Sequence, residues 1–123
     1  MNKLGATRLL KLADKLETIR EETFDMRLWA TQKNPEMKGV ITACALGWAT
    51  TIFPSLILVL ANECDLSDAY VLHKPTNQLG LSAAEEFFKL YSNDADNLFN
   101  AGFEMSAKQK ATEIRELVGS YGY

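Results

Sequence analysis

The sequence predicts a mostly α (α+β) fold: about five helices around a central buried helix, with a small β-hairpin, in a single domain over residues 1–123. Three observations carry this expectation. From Gly39 to Asn62 no residue is charged, so the middle of the chain is the part that the rest must cover. On both sides of it, apolar residues recur at i, i+3, i+4 spacing and form stripes that need a partner. A chain of 123 residues with 47% apolar and 24% charged content is large enough for one core without staples.

The first helix is expected from Leu4 to Glu22, with Leu9, Leu12, Ala13, Leu16 and Ile19 on one side and Lys11, Lys15 and Glu22 outward. Asn2 or Thr7 is placed to cap it. Phe24, Met26 and Leu28 alternate with polar residues, which suits an extended piece, while Phe24, Leu28 and Trp29 suit a helical turn. Periodicity leaves both readings open. Gln32–Gly39 reads as a turn, marked by Asn34-Pro35 and Gly39. The buried helix is expected over Thr42–Thr51, with small Ala43, Ala45 and Gly47 and the large anchor Trp48. Pro54 removes a backbone donor and pushes Phe53 out of helical geometry, which marks a boundary.

Leu56–Leu60 and Ala69–His73 then read as the two strands of the hairpin, joined by a polar loop. A second buried helix over Ser55–Ala61 is the alternative. Lys74–Leu81 reads as loop. Ser82 and Glu85 have capping-box spacing and open a helix to about Tyr91. Ser92 is expected to cap a short helix over Asn93–Asn100, stopped by Ala101-Gly102. Ser106 is expected to cap the last helix, Ala107–Val118, with Ala111, Ile114, Leu117 and Val118 inward. The end, Gly119–Tyr123, reads as a frayed tail.

Composition narrows the function classes. Net charge is −3 and the longest near-basic run is Lys108-Gln109-Lys110, so nucleic-acid binding is not expected. The acidic residues are too sparse for a mimic of nucleic acid. Cys44 and Cys64 do not make a disulfide framework and read as reduced thiols in the cytoplasm. The first residues, MNKLGATRLLKLADKLE, lack the apolar block and cleavage site of a signal peptide. Residues 40–60 are long enough for a membrane span. Pro54, the change of character across it and the flanking amphipathic stripes favour a soluble core instead.

Chemical motifs are thin. His73 is the single histidine, and a Cys–His pair with Cys44 or Cys64 is the one nucleophilic arrangement on offer. Asp65, Asp68 and Glu63 cluster, but without the glycine and terminal glutamate of a calcium loop. No phosphate-binding glycine motif is present. Glu21-Glu22 and Glu85-Glu86 are adjacent on helices and do not face each other. No cofactor and no metal are expected. The aromatics are more suggestive: Phe24, Trp29 and the Phe87/Phe88 pair are more than one small core needs, so one or two are expected in an exposed patch that Tyr121 and Tyr123 of the tail are placed to join, and the candidate binding residues are Phe24, Trp29, Tyr70 and His73.

With Phe24-Asp25-Met26…Trp29, Ala43-Cys44-Ala45-Leu46-Gly47-Trp48-Ala49, Ala83-Ala84-Glu85-Glu86-Phe87-Phe88 and Ala95…Leu98-Phe99, the chain resembles a group of small uncharacterised phage and bacterial proteins over roughly residues 8–118. That group often has Cys-Gly-Thr before its Ala-Cys-Ala. Here Val40-Ile41-Thr42 stands there, so the resemblance carries no metal site or thiol pair to this chain. It implies a soluble, mostly helical fold and a phage or mobile-element origin. The expected function is a non-enzymatic protein-interaction module that modulates a host protein. The alternatives are a small enzyme or ligand-binding domain using Cys44, Tyr70 and His73, and a small protein inserted in a membrane through residues 40–60.

Overall fold

The computed structural model describes residues 1–26, 30–31, 42–60 and 69–123. Among them are five α-helices and a small three-stranded antiparallel sheet, the mostly α, α+β architecture that the sequence predicts. The proposed turn at Gln32–Gly39, the hairpin loop with Cys64 and its acidic cluster, and Trp29 lie outside the described residues.

Helix α1 (Lys3–Thr18) buries Leu9, Leu12, Ala13 and Leu16. The Asn2 side chain accepts the Gly5 amide at 2.9 Å and caps the helix; Thr7 sits inside and back-bonds to Lys3. The helix stops four residues before the expected Glu22. Ile19 is extended, and Glu21–Thr23 form a single 3-10 turn. Tertiary bonds account for the early stop. The Thr23 carbonyl accepts the Trp48 indole N–H at 3.0 Å, and a Glu21 carboxylate oxygen accepts the Ala107 amide at 2.9 Å. That amide opens helix α5 (Ala107–Ser120), which packs along α1. Ser106 and Gln109 close a reciprocal capping box at its start. Arg115 of α5 reaches back to Glu17 and, at 2.9 Å, to Asp14.

The uncharged middle divides into short pieces. Strand β1 (Ala30–Thr31) pairs antiparallel with β2 (Thr42–Ala43), and Phe24 bridges Ala43. The buried helix α2 is confined to Ala45–Ala49, with Cys44 as its N-cap, and is therefore shorter than the expected Thr42–Thr51. Thr42 and Ala43 enter pairing instead, a role that suits a β-branched residue. Strands β3 (Leu56–Leu60) and β4 (Ala69–His73) form the expected hairpin. A third strand, β5 (Gln78–Leu79), pairs with β4 inside what reads as loop. The turn that makes it possible has Asn77 in the left-handed region (φ 58°) and bonded to the His73 carbonyl at 2.8 Å.

Because β5 delivers the chain early, helix α3 runs Gly80–Phe88 and starts two residues before Ser82. The Ser82/Glu85 capping box is thus not used. Lys89 ends α3 in the left-handed region (φ 56°). Helix α4 spans Ser92–Phe99, with Tyr91 rather than Ser92 as its N-cap; the Ser92 hydroxyl donates to Glu85 at 2.5 Å. Phe87 and Phe88 of α3 are core residues. They stack edge-on at 5.0 Å, and Phe53 and Phe99 complete the cluster. The last residues are not frayed. Gly122 (φ +87°) and Tyr123 donate back to Gly119 and Val118, a Schellman closure of α5, and the Tyr121 hydroxyl donates to Asp94 at 2.5 Å.

Candidate functional site

The register of the three-stranded sheet sorts its side chains into two faces. Leu56 pairs with His73 and Leu58 with Val71, while Ile57 pairs with Leu72, Val59 with Tyr70, and Leu72 with Leu79. Directly paired residues share a face and successive residues alternate. Leu56, Leu58, Val71 and His73 therefore point inward. Leu56 and Val71 are fully buried, and Leu58 packs on the core and on Ala43. Ile57, Val59, Tyr70, Leu72 and Leu79 form the opposite face. Tyr70 is 45% and Leu79 50% exposed, and Ile57, Val59 and Leu72 are half-buried.

This second face is uncharged and apolar at every position. A strand that is apolar throughout, such as Leu56–Leu60, suits burial on both sides of a sheet. Here the inner side meets α3 and the core, while the outer side keeps large side chains in contact with solvent.

The candidate residues are dispersed. Tyr70 is on the outer face. His73 is on the inner face, 7% exposed, its Nδ1 2.7 Å from the Thr76 hydroxyl and its ring edge-on to Phe87. It therefore fastens the β4–β5 turn to α3. Burial, together with the Arg8 guanidinium, holds the His73 pKa below its ordinary value. Arg8 itself lies over the Phe87 ring at 4.1 Å and donates to the Phe87 carbonyl. Phe24 is half-buried and packs on the core. Trp29 lies outside the described residues.

Cys44 is buried, its Sγ accepts the Gly47 amide at 3.4 Å, and burial pushes its thiol up to about 11. The thiolate needed for nucleophilic chemistry is disfavoured there. Tyr70 and His73 project from opposite faces of one strand, so Cys44, Tyr70 and His73 do not converge on a common point. Among the described residues no three His, Cys, Asp or Glu side chains are grouped to hold a metal ion, and no helix is long and apolar enough to cross a membrane. The sequence reading missed Ile57, Val59, Leu72 and Leu79. Their signal was the register: once Leu56 is set opposite His73, the outer row follows.

Comparison with protein-family models, with curated proteins and with solved structures found no match to the chain.

Proposed function

We propose that this protein is a non-enzymatic protein-interaction module that binds its partner through the outer face of β3–β4–β5. The observation that carries the reading is the row Ile57, Val59, Tyr70, Leu72 and Leu79, an apolar surface on a sheet whose other side is already packed. Leu72 is central, between Ile57 and Leu79, and Tyr70 stands beside it opposite Val59; an exposed tyrosine there is a favoured anchor, because its ring adds contact area and its hydroxyl stays able to hydrogen-bond. Covering a patch on the order of 300 Å² at about 25 cal/mol per Å² gives roughly 7 kcal/mol. That is comparable with the cost of association, so the partner adds polar contacts at the rim. The resemblance to small phage and bacterial proteins supports the finer reading, a phage- or mobile-element-encoded modulator of a host protein.

The experiment is site-specific photocrosslinking in host cells. A photoreactive phenylalanine analogue at Tyr70 yields one discrete adduct with a host protein, and the same analogue at the exposed Phe103 does not. Equal labelling at the two positions, or none at Tyr70, overturns the reading.

A further inference from the structure

A second surface lies elsewhere, between α4 and α5, and does not depend on the sheet face. The two helices leave a groove of about 500 Å³. Its accessible apolar surface is Leu117, half-buried against the core, and Ala101, over the buried Leu98. Its walls carry Asp94, Glu113 and Glu116. A second concavity of about 340 Å³ shares Glu113 and Glu116 with it and reaches Met105. Among the described residues no lysine or arginine lines either hollow.

Two of the three carboxylates have partners of their own. The Tyr121 hydroxyl donates to Asp94 at 2.5 Å. Lys110, fully buried, bonds Glu113 at 2.7 Å and so pulls on it from inside the fold. Glu116 is exposed at the rim and makes no ion pair among the described residues. An apolar floor between carboxylate walls is complementary to a chain that alternates cations with aliphatic side chains.

We infer that this groove docks a basic segment of a partner protein, which sets one leucine- or methionine-sized side chain against Leu117 and Ala101 and lysine or arginine over Glu116 and Asp94. The carboxylates set orientation and encounter rate, and the floor supplies the burial that makes the contact short-ranged.

Fluorescence anisotropy tests it with a labelled peptide of repeated lysine–leucine pairs, and with lysine–glycine and glutamate–leucine counterparts as controls. The lysine–leucine peptide binds saturably at low salt and weakens as salt rises. Glu116→Gln weakens it several-fold and Glu116→Lys by about tenfold or more, with unchanged melting temperature. The lysine–glycine peptide binds at least about tenfold more weakly, and the glutamate–leucine peptide does not bind. Leu72→Asp, on the sheet face, leaves the affinity unchanged, so this result stands or falls apart from the sheet reading. Absence of saturable binding, equal affinity for the lysine–glycine peptide, indifference to Glu116→Lys, or loss of binding in Leu72→Asp overturns the inference.

Discussion

At the scale of single residues, two positions concentrate the constraints. Gly5 lets α1 approach α3: a Cβ there would stand 2.0 Å from the Phe88 carbonyl oxygen and 3.3 Å from the Lys89 Cβ. Neither helix backbone can yield cheaply, so Gly5→Ala costs at least about 2 kcal/mol and lowers the melting temperature by roughly 5–10 °C; a thermal melt checks it. His73 gives the pH dependence its sign. Its folded pKa lies below the ordinary 6.5 because burial and Arg8 disfavour the imidazolium, so the unfolded chain takes up the proton first. Its contribution is intact above about pH 6.5 and is lost as pH falls from there toward the lower folded value. Melting temperature therefore drops between pH 7.5 and 5, and drops less in His73→Asn. Equal slopes for the two proteins would show that His73 carries no such linkage. Since His73 is the single histidine, the comparison is clean.

At the scale of elements, local chemistry decides some boundaries and tertiary contacts decide others. The start of α5 was legible from Ser106 as a cap, and in the structure Gln109 completes the reciprocal box. Ser106→Ala should cost about 1 kcal/mol, read as a shift in the denaturation midpoint without change in slope. A loss well beyond that would mean that Ser106 does more than cap. The hairpin was legible from two apolar runs flanking a polar loop. The end of α1 was not, because periodicity continues to Ile19 while the bonds that break the helix come from Trp48 and from the start of α5, far along the chain. Strand β5 was hidden in a turn-rich segment, since a two-residue strand has no period of its own. The Ser82/Glu85 pair had the right spacing for a cap, yet β5 commits the chain to helix at Gly80. The spacing of a cap is visible in sequence; the position at which the preceding strand releases the chain is not.

At the scale of the whole molecule, α1 and α5 pack together, the aromatic cluster of Phe53, Phe87, Phe88 and Phe99 fills the space beneath α3, and the sheet rests its inner face on that core. Of the candidate site, Tyr70 was visible as an aromatic in a strand. Its neighbours were not, because Leu56–Leu60 is apolar at every position and only the pairing register tells the covered row from the open one. The same register puts Tyr70 and His73 on opposite faces of β4. Among the described residues the three-stranded sheet presents an uncharged outer face on a packed support, and binding through that face is the proposal to be tested. The most direct measurement is capture from host lysate by wild type and by Tyr70→Asp and Leu72→Asp, with melting temperatures taken in parallel. The account predicts that wild type retains one stoichiometric partner in high salt and that both variants lose it while melting within a few degrees of wild type. Undiminished capture by the folded variants, or no partner for wild type, would contradict it.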